Sequence, residues 1–143
     1  MNRTIASLAA ISSLAFLATP VFAQNAEPEE ARTTYEVRFL DLADGAQESW
    51  ADLYENHYAK ARKAAGLPEI QLHWVVTGKW DIMMVIEMPG GMATMDSHSP
   101  ATGMAMQKAL IAQEGSEAAV TALGERANKM VVDGMSYYTH THP

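Results

Sequence analysis

Hydrophobic and polar positions repeat with two different periods along the chain, and the changes of period predict the order of its elements. Residues 35–42 alternate apolar with charged side chains, which is typical of a half-buried strand. From Asp44 the apolar positions recur every three or four residues, which predicts an amphipathic helix that Asp44 caps and Gly66-Leu67-Pro68 ends. The apolar positions of the strand are Tyr35, Val37 and Phe39.

Two further strands are predicted after this helix, over residues 69–77 and 80–88. The turn at Gly78-Lys79 between them is short enough to require antiparallel pairing. The second of these strands is apolar at every position from 82 to 86, so both of its faces must be covered.

The rest of the chain again predicts a helical region followed by a strand. An irregular connector over residues 92–99 leads to a helix that starts at Pro100, is interrupted by Gly115 and resumes at Ser116. Residues 131–141 alternate and predict the last strand. The order βαββαβ predicts an α+β, ferredoxin-like domain, in which a four-stranded antiparallel sheet carries helices on one face.

One face of such a sheet stays uncovered in a monomer. Because the third strand is apolar on that face as well, we expect two copies to pack sheet to sheet as a homodimer. The second and fourth strands are the predicted sheet edges. His73, on the second strand, is then expected to approach Tyr138 of the partner subunit or His140 of the partner subunit.

The sequence resembles the dimeric α/β-barrel superfamily, in which two ferredoxin-like subunits join their sheets into a barrel. The resemblance depends on the element order and on the run Thr77-Gly78-Lys79-Trp80-Asp81-Ile82-Met83-Met84-Val85, which is similar to the second hairpin of those proteins. It covers roughly residues 34–142. The superfamily includes cofactor-free monooxygenases, haem-degrading and haem-binding enzymes, polyketide cyclases and ligand-sensing domains, so the resemblance implies an architecture and not a single chemistry.

The first residues of the chain predict export. Met1-Asn2-Arg3-Thr4 carries a positive charge, and an apolar stretch follows it. Val21-Phe22-Ala23 then places small or β-branched residues at the −3 and −1 positions, which is typical of a signal peptide over residues 1–23. Residues 24–33 are polar and acidic and predict a disordered leader, and residues 34–143 form the predicted domain. The mature protein is therefore expected in the periplasm or secreted, with no membrane attachment after cleavage.

Composition narrows the classes of function. Lys+Arg 10 against Asp+Glu 17 gives a net charge of −7, which argues against a nucleic acid or an anionic membrane as partner. The chain has no cysteine, so disulfides, Cys-ligated metals and thiol nucleophiles are excluded. The sequence also lacks a phosphate-binding glycine loop, a serine-hydrolase elbow and a zinc-protease helix.

A pocket between sheet and helices that binds a small apolar or aromatic molecule is the leading functional hypothesis. His57 lies on the apolar stripe of the first helix and is expected to face the sheet, where it could act as a general base with Tyr54 as a supporting donor. A core histidine with one hydrogen bond is the alternative, so a cofactor-free oxygenase or proton-transfer enzyme and a mere binding protein both stay open. The predicted lining is Trp50, Tyr54, His57, Trp74, Met92 and His98.

A second hypothesis is a periplasmic copper- or haem-binding protein with histidine and methionine ligands. Met92, Met95 and His98 follow one another at three-residue steps, and thioethers suit Cu(I). His140 and His142 lie on one side of an extended segment and could share a metal ion. The alternative explanation for the methionines is packing in the core, and for the two histidines it is a solvated chain end.

A third hypothesis is a non-enzymatic dimeric module with a filled interior.

Overall fold

The computed structural model describes residues 32–142 of the chain, and four strands form one antiparallel sheet. The strands are β1 (Thr34–Leu42), β2 (Gln71–Trp74), β3 (Ile82–Met88) and β4 (Val131–His140). Their order is β2-β3-β1-β4, so β1 and β3 are central and the predicted edge strands are confirmed. Together with helices on one face, this confirms the predicted α+β, ferredoxin-like fold.

The predicted signal peptide over residues 1–23 lies outside the described residues, as does the leader over residues 24–33 except for its last two positions. Thr33 already belongs to the folded part, because its carbonyl accepts a hydrogen bond of 3.1 Å from the Thr141 N–H. Within residues 32–142, every helix is too short or too polar to cross a bilayer.

The first helical segment spans residues 47–64 and packs Trp50 against the sheet. It consists of α1 (Gln47–Leu53), a six-residue π-helix (Tyr54–Ala59) and α2 (Lys60–Ala64). The predicted cap at Asp44 is wrong: the chain turns at Asp44 and Gly45, and Ala46 occupies the cap position without a side-chain hydrogen bond. The helix therefore begins too late for the Asp44 carboxylate to reach its first free N–H groups.

The predicted end of this helix is confirmed. Gly66 has a φ of +67°, and its N–H donates to the Lys63 carbonyl at 3.1 Å. The Leu67 N–H donates to the Arg62 carbonyl, also at 3.1 Å. These two bonds form a Schellman motif, which requires a residue in the left-handed region and therefore favours glycine.

The second helical layer is α3 (Ala101–Glu114) followed by α4 (Glu117–Lys129). Gly115, with a φ of +86°, separates the two helices as predicted, and Ser116 Oγ caps α4 by accepting the Ala119 N–H at 3.1 Å. The connector before α3 contains a 3₁₀-helix, Gly91–Asp96. The antiparallel hairpin of β2 and β3 is also confirmed. Both strands are shorter than predicted, since β2 spans residues 71–74 instead of 69–77 and β3 spans residues 82–88 instead of 80–88.

The shorter β2 has a local cause. Its pairing ends at Trp74, and residues 75–81 form a longer loop than the predicted two-residue turn. The Asp81 N–H donates to the Leu40 carbonyl at 2.9 Å, and its carboxylate accepts the Leu42 N–H at 2.7 Å. These bonds hold Asp81 against β1, and its carbonyl still accepts the Val75 N–H at 2.8 Å. Beyond Val75 the chain turns away from the sheet, and Val76 is 91% exposed.

Two apolar clusters form the core. One lies between the sheet and the first helical segment, and the other lies among the helices. Ile82 is fully buried in the first cluster. The first cluster contains Leu42, Trp50, Ile82 and Met84. The second contains Leu53, Ala61, Leu110 and Leu123.

The register of β1 decides which side chains face this core. Leu40 pairs with the fully buried Ile82, so the even-numbered residues of β1 point toward the helices. The predicted strand over residues 35–42 is confirmed, and its apolar set of Tyr35, Val37 and Phe39 lies on the side away from the helices. Charged Glu36 and Arg38 share the helix side with Leu40, because they neutralise each other there.

The other face of the sheet, here called the open face, carries the apolar set of β1. Phe39 pairs with Met83 of β3, and its ring contacts the Tyr137 ring edge-on at a centroid distance of 6.3 Å. Val37 pairs with Val85 on the same face. β3 is thus apolar on both sides as predicted, and Tyr137 is 52% exposed in the single chain.

Two glycine-to-alanine changes of opposite effect test the helix boundaries. We expect Gly66→Ala to lower the free energy of unfolding by about 1 kcal/mol, since alanine is strained in the left-handed region. Gly124→Ala, in the middle of α4, should raise it by about 1 kcal/mol because a Cβ there meets no atom within 4 Å. Urea unfolding of both variants measures the difference, and a stabilising Gly66→Ala would contradict the Schellman motif.

Candidate functional site

A cleft of about 490 Å³ lies between the sheet and the helices, and we call it the sheet–helix cleft. Its apolar wall comes from β1, β3, β4, the first helical segment, the loop before β2, α3 and α4. This wall is formed by Leu40, Trp50, Ile70, Met84, Ile86, Met106, Ala127 and Val131. Its polar side chains are Glu36, Arg38, Tyr54, Tyr58, Arg62 and Asn128.

The first helical segment supplies the aromatic side of the cleft. The rings of Trp50 and Tyr54 stack in parallel, with centroids 5.4 Å apart and an interplanar angle of 2°. Tyr58 follows within the π-helix and also lines the cleft. Burial raises the pKa of both tyrosine hydroxyls above the ordinary value of 10.0, so both stay protonated donors at neutral pH.

Glu36 and Arg38 form a closed polar cluster on the sheet floor of the cleft. Glu36 Oε1 accepts hydrogen bonds from Arg38 Nη2 at 2.7 Å and Arg38 Nε at 3.0 Å. The Ser136 hydroxyl of β4 donates to the same oxygen at 2.8 Å. The two charges therefore compensate each other, which permits them to lie on the core side of β1.

Arg62 brings another positive charge to the cleft from α2. Its Nε donates to the Pro68 carbonyl at 2.5 Å, which ties the guanidinium to the loop after the helix. Partial burial lowers the pKa of Arg62 below its ordinary value, and the guanidinium stays charged at neutral pH.

The sequence-predicted lining residues fall into two groups. Trp50 and Tyr54 lie together in the cleft. Trp74 is 48% exposed at the end of β2, Met92 is 49% exposed, and His98 is exposed in the connector. These three do not belong to the lining of the cleft within residues 32–142, and their binding roles stay predictions.

His57 does not face the sheet, so the expected orientation is wrong. Its Nδ1 lies 2.7 Å from Glu114 Oε1 at the end of α3. Gln113 Nε2 donates to the same Glu114 oxygen at 2.8 Å. The hydrogen bond to His57, and then that from Gln113, hold the pKa of the Glu114 carboxyl below its ordinary value of 4.5. His57 thus joins two helices, and its catalytic role stays a prediction.

The residues of the metal hypothesis lie at two separate places. The rings of His140 and His142 are 4.9 Å apart, and Arg32 Nη1 lies 3.3 Å from His140 Nε2. Met92 and Met95 belong to the exposed 3₁₀-helix before His98. In the part of the chain that the structure describes, no three His, Asp or Glu side chains are grouped to hold a metal ion.

Sequence reasoning missed Glu36, Arg38, Tyr58 and Arg62 as residues of the cleft. The strand alternation indicated which residues of β1 share a face but not which face meets the helices. The apolar run of β3 was the one available signal. Because β3 is apolar on both faces, the apolar side of β1 need not be the side that meets the helices. Arg62 was not singled out because a basic residue in the last turn of a helix is already explained by the favourable interaction with the helix dipole.

No protein-family model and no curated protein matches the sequence. Solved structures do match. One NIPSNAP family protein of Agrobacterium tumefaciens superposes with a TM-score of 0.54 at 12% identity, covering 77% of this chain and 86% of that one. A second from the same organism, of unknown function, gives 0.51 at 12% identity, covering 76% and 87%.

A dimeric ferredoxin-like protein from an uncultured marine organism gives a TM-score of 0.51 at 17% identity, covering 79% of this chain and 90% of that one. These likenesses show the fold of the chain, which is ferredoxin-like. The predicted α+β, ferredoxin-like fold is thereby confirmed.

Proposed function

We propose that this protein is an exported homodimer whose sheet–helix cleft binds a small apolar or aromatic molecule. The stacked pair Trp50 and Tyr54 at the wall of the cleft is the observation that carries the proposal. A flat aromatic surface of this kind offers a large contact area to a planar ligand.

The size and chemistry of the cleft support this proposal. Its volume of about 490 Å³ falls within the range of about 300–1,000 Å³ that is usual for small-molecule sites. Buried Trp50 and Met84 give it an apolar wall, and the hydroxyls of Tyr54 and Tyr58 are donors at its surface. Apolar walls with a few polar groups are typical of ligand sites.

Binding is favoured over catalysis by His57 because the imidazole is engaged with Glu114 and is not part of the cleft lining within the described residues. A larger depression of about 650 Å³ runs outside α2. Its rim includes the exposed cations Lys60 and Lys63, and it lacks the stacked Trp50. The sheet–helix cleft is therefore the better candidate site.

The open face supports the homodimer. Val37, Phe39, Met83 and Val85 form an apolar surface across the two central strands. Contiguous apolar surface of this kind is uncommon on monomers and is typical of interfaces. The marine neighbour with this fold is described as dimeric, which agrees with a homodimer.

Ligand binding is tested with the fluorescent probe 1-anilinonaphthalene-8-sulfonate. We expect one probe molecule per chain, and we expect Ala127→Phe, which fills the cleft, to weaken binding about tenfold or more. The matched control is Ala122→Phe, at an exposed position of the same helix, which should leave the affinity unchanged.

Thermal unfolding of Ala127→Phe and Ala122→Phe checks that each variant is folded. Asn128→Trp, at the exposed rim of the cleft, is a second variant that blocks entry without changing the core. Equal probe binding by the wild type, Ala127→Phe and Asn128→Trp would contradict the cleft as the site.

The homodimer is tested by sedimentation velocity. Val37→Lys places a lysine of each subunit in a two-fold interface, so we expect it to shift the protein from dimer to monomer. The control is Val76→Lys, in the exposed loop after β2, which should stay dimeric. A wild-type protein that sediments as a monomer at micromolar concentration would refute the proposed interface.

Export is tested on the protein recovered from the periplasmic fraction or the medium of an expressing bacterium. We expect its intact mass to correspond to a chain that begins at Gln24, because cleavage follows Ala23. Recovery only from the cytoplasm with Met1 or Asn2 as the first residue would contradict export.

A further inference from the structure

Arg62 lies where three neighbouring cavities meet. It lines the sheet–helix cleft, the larger depression outside α2, and a small cavity of about 160 Å³ near Glu87 and Thr94. A group bound at its guanidinium can therefore be reached from the cleft and from solvent.

The charge of Arg62 differs from the other charges of the cleft. Arg38 and Glu36 compensate each other, whereas Arg62 belongs to no ion pair within 4 Å among the side chains of residues 32–142. Its described hydrogen bond goes to a neutral acceptor, the Pro68 carbonyl. Glu87, the acid whose charge acts on Arg62, lines the small cavity and not the cleft.

A partly buried cation that has no carboxylate within 4 Å among the described side chains is an unfavourable arrangement. Burial is the largest influence on the pKa of Arg62 and acts to lower it, so the guanidinium has lost part of its hydration. A bound anion would compensate the charge. Because a guanidinium has five N–H donors and Pro68 takes the one on Nε, the Nη groups have the donors for a two-point bond to a carboxylate.

Tyr54 adds a second recognition group beside Arg62. Both side chains line the cleft as well as the outer depression, and the Tyr54 hydroxyl is a protonated donor. The same tyrosine ring stacks on Trp50. The aromatic surface and the cationic group thus lie side by side in one wall.

We infer that the ligand of the sheet–helix cleft is an aromatic or apolar carboxylate, whose acid group binds Arg62 while its ring or chain lies against Tyr54 and Trp50. This inference rests on the proposed binding function and narrows its ligand class.

A purely structural role of Arg62 predicts a different result. In that case the side chain only ties the end of α2 to Pro68, and its loss would weaken binding of charged and neutral ligands to the same extent. A matched pair of probes separates the two roles. The pair is 2-naphthoate and 2-naphthamide, which share the aromatic body and differ in the charge of the head group.

Calorimetric titration of the full-length mature protein measures both affinities. We expect wild type to bind naphthoate about tenfold or more tightly than naphthamide, as charged hydrogen bonds usually give. Arg62→Gln should abolish this preference by weakening naphthoate alone. Arg126→Gln, at an exposed position of α4, is the control and should keep the preference.

Arg62→Lys keeps the charge but loses the fork of donors, so it should keep part of the preference and serves if Arg62→Gln does not fold. Equal affinity of wild type for both probes, or a preference that survives in Arg62→Gln or is undiminished in Arg62→Lys, would overturn the inference while leaving cleft binding intact. If neither probe binds, or if Ala127→Phe binds both as wild type does, the proposed function itself fails.

Discussion

The pairing of Leu40 with Ile82 at the centre of the sheet is the contact on which the rest of the structure depends. Ile82 is fully buried beneath Trp50, and Leu40 beside it fixes the side of β1 that faces the helices. A shift of one residue would exchange the two faces of β1 completely. The observed register places Glu36 and Arg38 in the lining of the cleft. The polar groups of the candidate site are therefore positioned by the apolar pairing of Leu40 with Ile82.

Asp81 secures this register at one end of the sheet. Its carboxylate accepts the Leu42 N–H, and Gln47 Nε2 lies 3.5 Å from its other oxygen, so one side chain joins β3, β1 and α1. In the sequence this aspartate belonged to a run that resembled a known superfamily. The structure gives this aspartate a physical role, since its bonds to Leu40 and Leu42 hold the start of β3 against β1.

The sequence predicted what local chemistry determines. Gly66, Gly115 and Ser116 mark helix ends because the left-handed region favours glycine and a hydroxyl caps free N–H groups. The face of β1 that meets the helices could not be predicted, because its apolar residues Val37 and Phe39 lie on the open face while Glu36 and Arg38 lie on the helix side as a compensating pair. The direction of His57 could not be predicted either, since no local pattern indicates that a helix changes its pitch.

That change of pitch has a geometrical consequence for the cleft. Trp50 precedes the π-helix Tyr54–Ala59 and Arg62 follows it, yet both line the same cavity. Twelve residues of regular α-helix, at about 100° each, would leave the two side chains about 120° apart around the axis. The wider turns of the π-helix advance less per residue and bring them back toward one line. The six residues in between therefore act as a phase correction, which keeps the aromatic surface and the guanidinium on the same side of the helical segment.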